Sequence, residues 1–287
     1  MHTRMSFAGR RECVCAKRNP KLFGEEHVVY AALPHSELIG VVALYDIKAK
    51  VRKAFHLLGF DLRYFKDSEE GILRNLIGRL HPVAVLDVGA NIGQYGRMLR
   101  GVGYGGVIIS FEPLSSAHEK LSVEAGTDSN WIVAPRAALG SAKGSIEINV
   151  SDNSVSSSVL PMQAAHLSAA PDSRYVATET VALERLDDLL PAIFSVDGPV
   201  FLKMDTQGYE AEVLKGAEGI LSRVVAIQME ISLVPLYQEA PTLVQIVTAL
   251  RDLGYHLFQI VPGFRDVATG QLLQVDGIFV RQLPSAP

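Results

Sequence analysis

Cysteine is almost absent from this chain: Cys13 and Cys15 are the only two, in one C-x-C pair near the start. With no second pair they complete neither a zinc site nor a disulfide framework, so a reduced, cytoplasmic setting is expected. Long apolar runs are missing too. None approaches the roughly 18 residues that a membrane-crossing helix needs, so no transmembrane segment is expected. The opening stretch "MHTRMSFAGRRECVCAKRNPK" is basic but lacks an apolar middle, which argues against a secretory signal. Charge of one sign is scarcely in excess. A net charge of -4 gives no bulk attraction for nucleic acid or an anionic membrane surface, and no nucleic-acid partner is expected.

Hydrophobic residues make up 48% of the 287, enough for one large domain or a domain with an appendage. Pro20, Gly24 and Pro34 break any period in residues 1–40, which read as an irregular tail. Residues 41–81 read as a helical segment. Within it "LYDIKAKVRKAFHLL" (44–58) has apolar residues at helical spacing, with Lys48, Lys50, Arg52 and Lys53 between them. Such a basic face is usually solvated; packing against a second copy in a homo-oligomer is the alternative use. A second helix is expected over Ser68–Leu80, with Ser68 as its cap and Glu69 in an acidic first turn.

From Pro82 to the end, residues 82–287 change texture. "VAVLDVG" (83–89), "GVIISFEP" (106–113), "WIVAPRAAL" (131–139), "PVFLKMD" (199–205) and "VVAIQMEIS" (224–232) read as strands. Helices are expected after the first two, over 210–221 and over 242–254, and "SIEINV" (145–150) alternates like a hairpin arm. Residues 151–178, rich in Ser, Ala and Pro, are expected to be a loop or lid. "HLFQIV" and "GIFVRQ" suit an antiparallel pair. This alternation predicts an α/β fold: a doubly wound, mostly parallel sheet with an antiparallel C-terminal hairpin. Ligands of such sheets bind beyond the carboxyl ends of the strands, where Asp87–Gly93, Glu112, Asp205–Gly208 and Glu230 all fall.

The densest of these places is "VLDVGANIGQYG" (85–96). Its glycines, Gly89, Gly93 and Gly96, follow G-x3-G-x2-G, and no G-K-[ST] completes a phosphate loop. Glu112 ends the next strand, where a carboxylate accepts hydrogen bonds from ribose hydroxyls of either NAD or S-adenosylmethionine. Asp87 at the strand tip disfavours a pyrophosphate and suits a cationic ligand, which points to S-adenosylmethionine. An NAD(P)-dependent oxidoreductase is the rival reading, though no Tyr-x-x-x-Lys pair is present for hydride chemistry. A module that binds S-adenosylmethionine without turnover is the other rival.

The segments "DVGANIGQY", "SFEP", "AALG", "NSVSSSVL", "ERLDDLL", "FLKMDTQGYEAEVLKGA", "QMEISLVPLY" and "VDGIFVR" occur in the order seen in FkbM-type methyltransferases. The chain resembles that family over about residues 45–282. The resemblance implies a class I, Rossmann-like methyltransferase that uses S-adenosylmethionine, with hydroxyls of glycolipid, polysaccharide or natural-product sugars as acceptors. A small molecule or glycan is thus the expected partner. The family's K-x-D-x-E-G motif reads Lys203-Met-Asp205-Thr-Gln207-Gly208 here, with glutamine in the glutamate place. By the match, Asp87, Gly89, Asn91 and Gly93 would line the methionine end of the cofactor. Glu112 and Pro113 would lie at the ribose, Ala137 and Ala138 at the adenine, and Asp205 at the methyl group.

A sugar hydroxyl is a poor nucleophile, so a general base is expected, worth roughly 10²–10⁴-fold. Asp205 is the first candidate. Glu230 would assist or share a Mg²⁺ with it. Ser156, Ser157, Ser158, Gln207 and Tyr237 are candidates for holding the acceptor, with Phe264 as a further ring for stacking or packing. Lys203 is expected in a salt bridge, Trp131 in the core, and His166 solvated in its loop.

Overall fold

The computed structural model describes residues 48–59, 64–195 and 197–281. The chain divides between 62 and 63 into two compact units. In the first, residues 48–57 are helical (α1) and exposed, inside the helix expected over 44–58. The tail of 1–40 and residues 44–47 lie outside the described residues.

In the second unit a 3-10 turn (Phe65–Asp67) leads into α2 (Glu69–Leu80), whose cap is Ser68: its side chain accepts from the Gly71 amide at 3.2 Å. Then come β1 (Ala84–Val88), α3 (Gln94–Gly101), β2 (Val107–Phe111), α4 (Ser115–Ala125) and β3 (Trp131–Val133). A small insertion follows, with β4 (Ala138–Leu139), β5 (Gly144–Ser151), α5 (Ala164–Ala169) and β6 (Tyr175–Glu184). The main unit resumes with α6 (Leu186–Ile193), β7 (Val200–Met204), α7 (Glu210–Lys215), β8 (Val224–Ser232), α8 (Leu243–Asp252), β9 (His256–Pro262) and β10 (Gln274–Val280).

The main sheet runs β3-β2-β1-β7-β8-β10-β9. Its first five strands are parallel, while β10 is antiparallel to both β8 and β9. The expected doubly wound sheet and C-terminal hairpin are therefore present, with the last strand inserted between its two predecessors. A dinucleotide-binding sheet of order 3-2-1-4-5-6 lacks that insertion. The central strands are buried throughout, as apolar runs covered on both faces must be. One face packs Leu86, Leu202 and Ile227 against α6, α7 and α8; the other packs Val85, Ile108 and Phe201 against α2, α3 and α4.

Three expectations need correction. "WIVAPRAAL" is not one strand: β3 stops at Val133 and Ala138–Leu139 joins a separate sheet of order β4-β6-β5. Pro135, without an amide hydrogen, sits in the break. The loop expected over 151–178 ends where β6 begins at Tyr175, and it holds a helix besides. "YVATETVALE" hides its strand character because only Val181 within it is fully buried. The helix expected over 210–221 stops at Lys215, where Gly216 packs against the carbonyl of Gly140.

Trp131, buried as expected, lies across the start of α3 and donates its indole N–H to Ser110 Oγ at 3.0 Å. A Cβ on Gly96 would come within 2.1 Å of its ring, and one on Gly93 within 3.1 Å. These two glycines thus make room for an indole. Gly96→Ala should cost about 1–3 kcal/mol by overpacking. It should also lower the melting temperature and shift the emission of Trp131, the chain's single tryptophan. Trp131→Leu should relieve most of that loss, and strictly additive effects in the double variant would refute the packing account.

Candidate active site

Four strands place polar side chains side by side at mid-sheet: Ser110, Asp87, Lys203 and Gln228 are successive register partners. Strand alternation turns Asp87 and Lys203 to the face covered by α2 and α3. Lys203 is the hub. Its Nζ lies 3.1 Å from Asp87 Oδ1, 3.6 Å from Asp205 Oδ2 and 3.3 Å from the Gly89 carbonyl, and stands 5.3 Å over the Tyr95 ring. Burial works against this ammonium, but Asp87 and Asp205 outweigh it and hold its pKa above the usual range. Burial raises Asp87 in turn, against the pull of Lys203. The expected lysine salt bridge is present.

Above this row opens a cavity of about 340 Å³, within the ~300–1,000 Å³ of small-molecule sites. Gly89, Asn91, Glu112, Pro113, Ala137, Ala138, Asp205, Ser157, Ser158 and Gln207 all lie on its wall. Gly89 has φ +76°, and a Cβ there would strike the Asp205 carbonyl at 1.9 Å, so the β1 and β7 loops close together only over glycine. Glu112 accepts the Asn91 amide at 2.8 Å and the Leu114 amide at 2.9 Å, one on each oxygen. Each oxygen keeps a further lone pair for a ligand hydroxyl. Burial, only partly offset by those amides, lifts Glu112 to a pKa of about 7. Asn91 Oδ1 and Thr206 Oγ1 are buried on this wall without a partner, which is what a polar ligand would satisfy.

Five expected site residues stand elsewhere. Asp87 is fully buried beneath the wall and its charge is spent on Lys203, so it meets no ligand directly. Gly93 faces Trp131. Ser156 is tied to Asn153 and Ser173 in a buried hydroxyl cluster. Tyr237 is buried behind Gln207, to whose Oε1 its hydroxyl donates, and cannot offer a ring face to an acceptor. Glu230 lies behind the wall, with one oxygen taken by Gln207. Burial, reinforced by Asp205, Asp276 and Glu210, pushes its carboxyl well up, and its place behind the wall keeps it from an acceptor in the cavity.

His166 also departs from expectation: it is buried, 5.3 Å from the Tyr237 ring and 5.1 Å from the Phe264 ring. Phe264 therefore packs against the histidine. Glu69, Tyr95, Gln228 and Asp276 also line the wall and were missed. Gln228 and Asp276 carry a legible signal, polar residues inside otherwise apolar strands. Glu69 carries none, because it arrives through helix packing.

Asp205 and Glu230 do not fit a shared divalent cation. Gln207 Nε2 stands between them, donating to Asp205 Oδ1 at 2.8 Å and Glu230 Oε2 at 2.6 Å. Among the described residues no group of three His, Cys, Asp or Glu is placed to hold a metal ion.

Among the described residues the charged groups of this cavity are Glu69, Glu112, Asp205, Asp276 and Lys203, and Asp87 already neutralises the lysine, which suits a cationic ligand. Together with the strand order, it defines a class I methyltransferase. The methyltransferase FkbM domain model matches residues 87–257, and the chain belongs to that family of S-adenosylmethionine-dependent methyltransferases. No curated protein matches the chain. Among solved structures, an S-adenosylmethionine-dependent methyltransferase from Mesorhizobium loti is 10% identical, with 76% of this chain and 100% of that one covered and a TM-score of 0.42. Precorrin-6y C5,15-methyltransferase from Geobacter metallireducens is 13% identical, with 76% and 91% covered and a TM-score of 0.37. No helix among the described residues is long and apolar enough to cross a membrane.

The raised carboxyls predict two pH effects. Glu112 and Glu210 have folded pKa values of about 7 against an ordinary 4.5, so the folded state binds more protons between those limits. Stability of the ligand-free protein should therefore fall as pH rises from about 4.5 to 7, read as a lower melting temperature at pH 8 than at about pH 5.5. The acids shifted downward, Asp128, Glu212 and Asp266, act only below that window. Secondly, cofactor affinity by calorimetry should weaken as pH drops below about 7, where Glu112 gains its proton. Glu112→Gln should flatten that dependence; an unchanged slope would remove Glu112 from the ribose.

Proposed function

We propose that the chain is an O-methyltransferase acting in the cytoplasm on a sugar hydroxyl of a glycolipid, polysaccharide or glycosylated natural product. The observation that carries this reading is the Asp205 carboxylate on the cavity wall. One oxygen is anchored by Gln207, and the side chain keeps 39% of its surface exposed. Bound S-adenosylmethionine supplies a methyl group already activated on a sulfonium.

The chain's own residues supply position and a proton acceptor. Glu112, Asn91 and Pro113 would hold the nucleoside, with Ala137 and Ala138 leaving a flat apolar wall for the base. Asp205 would take the hydroxyl proton as the O–C bond forms and the S–C bond breaks, leaving a methyl ether and the neutral thioether. Alignment of oxygen and methyl carbon contributes several kcal/mol, roughly as effective molarity does in intramolecular reactions. Thr206 Oγ1 offers the wall a hydroxyl without a partner, which suits a polyol, while the hydroxyls of Ser157 and Ser158 donate to the Ser154 and Gln207 carbonyls. The acidic lining disfavours an acceptor bearing phosphate or carboxylate near its reacting oxygen.

Asp205→Asn should leave cofactor affinity within a factor of about 3 while kcat falls about 10²–10⁴-fold. Undiminished turnover would remove Asp205 from the mechanism. A wild-type protein that binds S-adenosylmethionine yet adds no CH2 mass to any of a panel of neutral glycolipids and glycosides would favour the non-catalytic reading.

A further inference from the structure

Gln207 has a left-handed backbone, φ 54°, followed by Gly208 at φ 99°. A non-glycine residue in that region costs roughly 1–2 kcal/mol and persists only where its surroundings hold it. Here the unusual turn brings the Gln207 side chain back over Asp205, two residues before it. Its amide nitrogen has two hydrogens and uses both, one on Asp205 Oδ1 and one on Glu230 Oε2. Its oxygen accepts from the buried Tyr237 hydroxyl, and its backbone carbonyl accepts from Ser158 Oγ at 2.8 Å. This orientation gives each carboxyl a donor and the Tyr237 hydroxyl an acceptor, whereas a flipped amide would aim its oxygen at two carboxyl groups. The nitrogen thus sits 2.6 and 2.8 Å from oxygens of two carboxyl groups carried by adjacent strands. These are hydrogen-bond distances, and they put one donor nitrogen in contact with both carboxyl groups at once.

We propose that the Gln207 amide does the work of a bridging divalent cation, locking Asp205 and Glu230 into one geometry without a metal. Gln207 is a positioning residue in this account and acts through Asp205. The bridge would be needed whichever acceptor the cavity takes, and the inference does not depend on O-methylation. It also carries a consequence for the sequence. Gln207→Glu replaces the two donors by an oxygen, so three carboxyl groups then surround one point, a donor set that hard cations prefer.

The test uses Mn²⁺ as probe, read by loss of its free-ion electron paramagnetic resonance signal on titration with protein. Wild type should take up no Mn²⁺ at this site at millimolar concentrations. Q207E should bind one equivalent at least tenfold more tightly, and Q207E/E230Q should lose it again. Wild-type binding equal to that of Q207E, or no binding by a folded Q207E, overturns the proposal. Should Q207E not fold, the wild-type chain decides: one equivalent of tightly held Mn²⁺ that D205N abolishes overturns it, and its absence supports it. A second readout is kinetic. Gln207→Met keeps the bulk but removes both donors, so kcat should fall more than tenfold with KM for S-adenosylmethionine unchanged. An equal loss in both would mark Gln207 as merely structural.

Discussion

The Lys203–Asp87 ion pair is the contact on which the rest of the site is built. Two charges at mid-sheet, both essentially out of solvent, would each be costly alone. Paired, they also fix what surrounds them. The lysine reaches forward to the Gly89 carbonyl and to Asp205, so the loops after β1 and β7 are referred to one ammonium. The contact between Gly89 and the Asp205 backbone ties the same two loops sterically. A site assembled from two strand ends thus inherits the rigidity of the sheet.

Spending the lysine on Asp87 leaves the cavity acidic. Glu69, Glu112, Asp205 and Asp276 line it, with no free cation beside them among the described residues, and burial raises the carboxyls of Glu69, Glu112 and Asp276. A cationic ligand lowers that electrostatic cost, whereas a pyrophosphate would add to it. Charge therefore still selects the cofactor, but through a different agent. It is the ring of acids around the cavity that disfavours a diphosphate, with Asp87 serving to cancel the lysine that would otherwise attract one.

Much of this was legible in the sequence, and the failures share a cause. Strands buried on both faces, such as "AVLDV" and "VFLKM", announce themselves by composition, and the acids at their ends follow from the rule that ligands sit there. Elements of the insertion do not. β6 is mostly exposed, paired on both sides yet hardly buried, so its alternation of Ala, Thr and Glu carries little hydrophobic signal. The glycines were legible as a tight turn but not as packing, because the indole that Gly93 and Gly96 accommodate comes from Trp131 on another strand. Likewise a serine run can be recognised as polar, yet only the folded loop turns Ser157 and Ser158 to the cavity and Ser156 inward.

Gln207 shows how far a single neutral residue can reorganise such a site. A glutamate in its place would put a third carboxyl beside Asp205 and Glu230, and the repulsion would have to be met by a cation or by protons. The amide instead offers two donors to two acids and one acceptor to Tyr237, so every polar atom of its side chain is satisfied. Tyr237 is itself packed edge-on against His166, which lies under the Phe264 ring. The orientation of the Asp205 carboxylate is thus set by a chain of contacts running back into an apolar cluster. Lys203 holds the carboxylate from one side and Gln207 from the other. What remains open is the side that faces the cavity, where an acceptor's proton would arrive.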